Sequence, residues 1–300
     1  MSALESGVAG IDATLAALAG PDLNLYALVD LANLAPEAPK LLQSFKAARA
    51  VCMFVDPSPA AQLASPWLIP LRFTPDDARA RRLTIELAQR SSAVTWIVSG
   101  LTATELARRL LARTEVRLPD HYDSLLRHFD PRVLPVIHQV LSTPQREAFF
   151  SLGVEWLFID RTACLTGIKL TPAPTIDCFK APLSLDDDQL ADLLDAAEID
   201  AVMPELVKEE PDRFLALGNG PARYRFTDDA LGRARYWQLD QFPQKVVFCT
   251  LALRLGPGFD EAPAWQQALS GVATSGLSLS QVIEQAMNVY GAGKDEQHAS

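Results

Sequence analysis

The stretch "TWIVSGLTATELARRLLAR", Thr95–Arg113, sets two kinds of pattern side by side across a single glycine. Its first four residues are apolar or β-branched and do not alternate with polar ones, which is how a strand covered on both faces reads. After Gly100 the pattern changes. Thr102 and Glu105 have capping-box spacing, and Ala103, Leu106, Leu110 and Leu111 then fall on one helical face. Arg108, Arg109 and Arg113 occupy the rest of that helix and are expected in solvent.

The same runs recur on either side: "LYALV" (Leu25–Val29), "VCMFV" (Val51–Val55), "WLIPL" (Trp67–Leu71) and "VEWLFI" (Val154–Ile159), with helical segments between them. Strands alternating with helices predict an α/β N-terminal lobe over 1–165, with a mixed β-sheet flanked by helices. Within it, "EVRLPDHYDSLLRHFD" reads as a β-hairpin turning at Pro119 and Asp120. Asp130 then stands where an N-cap belongs, with Pro131 at the first helical position and Val133, Leu134 and Ile137 on the buried face. Arg132 in the first turn opposes the helix dipole, so a carboxylate partner is expected elsewhere. His128 is expected to point off the strand.

Beyond Asp160 the texture changes. Pro172, Pro174 and Pro182 mark 166–183 as a joint, and the chain from 184 to 291 reads as a mainly α-helical C-terminal lobe. Ser184 is the expected cap of a helix whose first turn carries Asp186, Asp187 and Asp188, acids that suit the dipole without any metal. "LGNGPARYRF" reads as a turn and a short extended piece. "QKVVFCTLALRL" reads as a buried helix stopped by Gly256. "SLSQVIEQAMNVYG" has one apolar stripe and a glycine stop, and 292–300 reads as a disordered tail.

Of 300 residues, 49% are apolar and 21% charged, the balance of an ordinary globular chain. The net charge of −10 is regional: Ser184–Asp229 holds 13 acidic and 4 basic residues, while the remainder is nearly neutral. That distribution argues against nucleic-acid binding through this region. No apolar run is long enough for a membrane span, and the first twenty residues hold no Lys or Arg to open a secretory signal. Cys52, Cys164, Cys178 and Cys249 lack metal or redox spacing and are expected to be reduced, mostly buried thiols. A cytoplasmic location follows.

Catalytic signatures are missing. There is no phosphate-binding loop, no dinucleotide fingerprint, no H-E-x-x-H and no G-x-S-x-G. His121, His128 and His138 lie within one short span, but neither a metal nor a cofactor is expected. An unconventional hydrolase site around His121, Asp123 and His128 is the enzymatic alternative. A toxin-binding immunity protein is the alternative among binding proteins.

The run "VRLPDHYDSLLRHFDPRVLPVIHQVLSTPQREAFFSLGVEWLFID", Val116–Asp160, resembles the signature region of the type VI secretion effector chaperones, the Tap/Tec adaptors of the DUF4123 class. Their pattern is an "RLPDG" turn, a "DPRVL" segment, a "TPEQ" helix and an aromatic approach to a closing strand. Leu118, Pro119, Asp120, Arg127, Phe129, Asp130, Pro131, Arg132, Val133, Leu134, Phe149, Phe150 and Trp156 match it. "LYALVDLA" and "ASPWLIPL" resemble earlier parts of the family, extending the likeness over Leu25–Asp160. His121 replaces the turn glycine, and "SLG" (Ser151–Gly153) stands where Gly-Pro is common.

The resemblance implies a cytoplasmic adaptor of a Gram-negative bacterium that binds an effector toxin and promotes its loading onto the VgrG spike. It implies no enzymatic activity and no stable membrane insertion. Arg127, Asp130, Pro131, Arg132 and Trp156 are the motif positions, serving either to brace the fold or to meet a partner. Asp186, Asp187, Asp188, Glu209 and Glu210 are the candidate client-facing acids. The identity of the client is not readable from the chain.

Overall fold

A computed structural model describes residues 7–275, apart from 36, 55–57 and 75–76. The expected helix over 278–291 and the tail 292–300 lie outside the described residues. The chain divides into two units, Met1–Ala197 and Glu198–Ser300.

The first unit runs α1 (Val8–Leu18), β1 (Asn24–Asp30), α2 (Ala38–Ala47), β2 (Val51–Cys52), α3 (Pro59–Ala64), β3 (Pro66–Leu71), α4 (Ala78–Arg90) and β4 (Val94–Ser99). It continues through α5 (Ala103–Ala112), β5 (Glu115–Arg117), β6 (Asp123–Leu125), α6 (Leu134–Val140), α7 (Thr143–Phe149), β7 (Glu155–Ile159), β8 (Leu165–Lys169) and β9 (Leu183–Ser184). Then α8 (Asp187–Glu209) crosses the division.

Six strands form the main sheet in the order β2-β3-β1-β4-β7-β8. The α/β lobe with a helix-flanked sheet is present, but the mixed sheet is corrected: every pairing in it is antiparallel. The one parallel pair among the described residues, β5 with β9, belongs to a separate three-stranded sheet, β6-β5-β9. Strand direction escaped the sequence because burial on both faces gives the same unbroken apolar run in either orientation.

That double burial is visible residue by residue. Tyr26, Leu28, Ile97, Trp156 and Phe158 face a core shared with α5, α6 and α7. Their neighbours Leu25, Ala27, Val29, Trp96 and Leu157 face a second core closed by α1, α2 and α4. Both central tryptophans find acceptors: Trp96 Nε1 donates to Thr84 Oγ1 at 3.3 Å and Trp156 Nε1 to Thr95 Oγ1 at 2.9 Å. A buried indole without a partner would be costly.

The segment expected to be a joint, 166–183, belongs to the first unit instead. It supplies most of β8 and begins β9. Ser184 lies in β9, so the cap of α8 falls two residues later. The Asp186 carboxylate accepts from Gln189 N at 2.8 Å, and Gln189 Oε1 accepts from Asp186 N at 3.2 Å. Both Ser184 and Asp186 are cap-competent, but only Asp186 has Gln three residues on.

The second unit is helical, as expected: the end of α8, then α9 (Pro211–Ala216), α10 (Gly220–Tyr236), α11 (Phe242–Leu255) and α12 (Pro263–Ser275). Val202, Leu231, Phe248, Cys249, Trp265 and Leu269 are among its core residues. "LGNGPARYRF" opens a helix rather than an extended piece. Asn219 Oδ1 accepts from Ala222 N at 3.0 Å, and Pro221 sits in the first turn where no N–H is needed. The helix α11 stops at Gly256, whose φ of +101° suits glycine.

Candidate functional site

The motif segment Arg127–Arg132 leaves the hairpin beside α5. Leu126 N donates to Thr114 O at 2.8 Å, and the chain then folds into consecutive turns. The Asp130 carbonyl accepts from both Val133 N and Leu134 N at 3.0 Å, and its carboxylate accepts from Arg132 N at 2.9 Å. Pro131 sits between these donors and has none to offer. The helix expected from Pro131 therefore begins only at Leu134. Asp130 closes a turn ahead of it and is not its N-cap, because its side chain engages the residue two ahead.

Arg132 has its expected carboxylate partner close by rather than elsewhere. Its Nε and Nη2 grip Asp130 Oδ1 and Oδ2 at 3.0 and 2.7 Å. Arg127 reaches across 97 positions to Asp30 Oδ2 at 2.5 Å and lies 5.4 Å from the centre of the Phe129 ring. Asp30, at the end of β1, also accepts from Ala32 N and so caps the 3₁₀ turn Leu31–Leu34. Both carboxylates are buried, while both arginine side chains remain about a third or more exposed. Burial pushes the Asp30 carboxyl above its ordinary range; the Arg127 charge and the Ala32 N–H oppose that, and Asp130 adds to it. Arg127 thus ties β1 to the turn after the hairpin, while Arg132 braces that turn from within.

His128 and Trp156 point the other way. His128 is wholly buried, and Nε2 donates to Leu110 O at 2.9 Å. Among the described residues, Nδ1 has no partner. Its ring packs edge-on against Phe129, Phe149 and Trp156. Burial, reinforced by the Arg113 charge against the carbonyl contacts, pushes its pKa down to about 4, so it is neutral at neutral pH. It lies in the turns after β6 and points into the core. Trp156 and Asp130, expected among the motif positions, are likewise interior residues.

The acids divide. Asp186, Asp187, Asp188 and Glu209 are exposed. Asp186 is engaged in its cap, and Asp187 and Asp188 stand in the first turn of α8. Glu210 accepts from Arg254 at 2.5 Å and lies 3.4 Å from Arg213, so its charge is compensated within its own unit.

Two arginines expected in solvent are not there. Arg109 is buried and bonds Glu105 and the Thr175 carbonyl. Arg113 has no exposed surface; it holds Asp177 and the carbonyls of Arg109, Ala148 and Phe149, with the Phe179 ring 4.6 Å away. Burial raises the Asp177 carboxyl, but the Arg113 hydrogen bonds and charge outweigh it and leave it below its usual range. Helical periodicity cannot reveal a partner so far along the chain. Of the expected buried thiols, only Cys249 is one, its pKa pushed up to about 12 chiefly by burial; Cys164 and Cys178 are exposed.

Among the described residues, no group of three or more His, Cys, Asp or Glu side chains is placed to hold a metal ion. His121 and Asp123 are exposed while His128 is sealed in the core, so these three do not share one solvent-facing site. No helix among the described residues is long and apolar enough to cross a membrane. In the second unit, a cavity of about 260 Å³ is walled by Phe226, Phe248, Ala252 and Phe259. The buried Asp260 also lines it and is held by Arg233 and by Trp237 Nε1 at 2.7 Å.

No curated protein and no solved structure matches the chain. Residues 25–148, from β1 through nearly all of α7, match the model of the family described as Domain of unknown function (DUF4123). That span covers the hairpin, the Arg127–Arg132 turns and the "TPQ" helix, and ends before the closing strand that carries Trp156.

Proposed function

We propose that this chain is a cytoplasmic adaptor that binds a type VI secretion effector and promotes its loading onto the VgrG spike. The observation that carries the proposal is the DUF4123 match over residues 25–148, a domain known from type VI effector adaptors. The layout of the motif favours binding over turnover. Its histidine and tryptophan are consumed by the core, and its two arginines are anchored by buried carboxylates while their side chains keep exposed surface. Anchored arginines suit protein recognition, since the planar fork loses little freedom on contact.

The adaptor acts without chemical transformation of its client, and its affinity is moderate enough for release at the spike. Affinity purification of the tagged chain from its native host, followed by mass spectrometry, tests this. An effector toxin and a spike component are expected in the eluate. Recovery of the chain without either would overturn the proposal.

A further inference from the structure

Among the described residues, the strand β6 ends the three-stranded sheet, with β5 on one side and no strand on the other. The hairpin ladder is longer than the strands themselves, because Leu118 N donates to Tyr122 O and Leu126 N to Thr114 O. With the register Val116↔Ser124, these bonds fix which residues face β5. Tyr122, Ser124 and Leu126 turn their backbone groups toward β5; Asp123 and Leu125, in the alternate positions, turn theirs outward. All three β6 residues are exposed, Leu125 at 51%, and the adjoining Tyr122 at 71%. The strand is short and carries Asp123, both of which blunt an edge against indiscriminate pairing, yet two large apolar side chains also decorate it.

We infer that the open edge of β6 is a docking strand for an extended, basic segment of the partner polypeptide. The inference rests on the adaptor reading and specifies how the partner is held. Main-chain hydrogen bonds to Asp123 and Leu125 supply the grip, as in strand addition generally. A hollow of about 410 Å³ on one face of this sheet, lined by Glu115, Arg117, Asp123 and Leu125 and reaching Pro182 on the β9 side, is open to the side chains that the added strand places on that face.

Charge selects the occupant. Glu115, Asp120 and Asp123 are exposed around the edge, and the one cation among them, Arg117, is held by Asp123 at 2.9 Å. Among the described residues, Glu115 has no ion-pair partner. A strand with lysine or arginine at alternate positions is complementary. A second copy of this chain, of net charge −10, would bring acids against acids.

A ten-residue peptide of alternating lysine and valine is a suitable probe, with a glutamate-for-lysine version and a version N-methylated along one edge as controls. Binding is expected to slow hydrogen exchange at the Asp123 and Leu125 amides at least tenfold. The acidic and N-methylated peptides are expected to bind at least tenfold more weakly. Leu125→Pro removes an outward N–H without touching the β5 ladder, and it is expected to weaken the lysine peptide similarly. Equal affinity for the N-methylated peptide, or protection confined to other amides, would overturn the inference whether or not the proline variant folds. A dimer dissolved by Leu125→Pro would also overturn it, assigning the edge to a second copy. If the host effector co-purifies equally well with wild type and folded Leu125→Pro, the edge fails and the adaptor reading stands. If no effector is recovered with wild type, the adaptor reading itself fails.

Discussion

Arg113 and Asp177 stand 64 positions apart and meet in a two-armed ion pair, Nη1 to Oδ2 at 2.8 Å and Nη2 to Oδ1 at 2.9 Å. Arg113 is wholly buried and Asp177 nearly so. The pair pins the proline-rich segment after β8 onto α5 and α7, which explains why a stretch composed like a linker is part of the first unit. Removing one member leaves the other charge buried alone. Asp177→Ala is therefore expected to destabilise the first unit by about 3 kcal/mol. The double variant Arg113→Met/Asp177→Ala should lose less than the sum of the single changes. Urea unfolding of the four proteins measures both; strict additivity would show that the two do not act as a pair.

Much of this architecture was legible in the sequence, and what was missed has identifiable causes. Strands such as Leu25–Val29 and Thr95–Ser99 announced themselves because both faces are covered, and the hairpin because Pro119 and Asp120 supply turn chemistry. Distance along the chain hid the rest. Nothing near Arg113 signals Asp177, and nothing near Arg127 signals Asp30. At Asp130 and Asn219 the right cap-type residue was present, but its side chain served a different turn or opened an unexpected helix. The exposed faces of Arg127 and Arg132 follow from which carboxylates hold them, and periodicity carries no such information.

Arg127 neutralises a carboxylate that is otherwise sealed. Arg127→Ala is expected to cost about 2 kcal/mol at neutral pH, discounted from a fully buried pair because the Arg127 side chain is 40% exposed. Without the cation, Asp30 should rise further above its ordinary range. A raised carboxyl favours the folded state below the unfolded value of 3.8, and that advantage is lost as pH rises through the folded pKa. The gap between variant and wild type should therefore narrow on acidification. A gap independent of pH in denaturant titrations would show that Asp30 does not mediate it.

His128 gives the opposite slope. Its pKa falls from 6.5 to about 4 on folding, so its contribution is complete above pH 6.5 and is lost as pH falls toward 4. The loss approaches about 3 kcal/mol. His128→Phe cannot titrate; it is expected to be less stable at pH 7.5 by about 1 kcal/mol, through the missing bond to Leu110 O, and flatter toward acid. Parallel stability curves for the two proteins between pH 6.5 and 4.5 would contradict this.

His121 occupies the turn position with φ of +67°, the conformation that glycine adopts freely. This explains why glycine is usual there in the family that the hairpin resembles. His121→Gly is expected to raise stability by up to about 1 kcal/mol, the relief of left-handed strain exceeding the entropy cost. A lowered melting temperature would mean that the imidazole makes a compensating contact.

Gly153 lies against the backbone of β4, where a Cβ would stand 2.3 Å from the Val98 carbonyl oxygen. That oxygen also accepts from Val154 N at 2.8 Å, so it has little freedom to retreat. Gly153→Ala is expected to destabilise by about 3 kcal/mol through displaced sheet backbone. Wild-type stability in this variant would mean that β7 shifts without cost.

Under the proposed function, the work of this chain is to carry another protein to a secretion apparatus. Its most direct test is the amount of the co-purifying effector delivered outside the cell by a deletion strain and by the same strain complemented. Delivery is expected to collapse on deletion and to return on complementation, while catalytic activity of the purified effector is unchanged by this chain. Undiminished delivery in the deletion strain would contradict it.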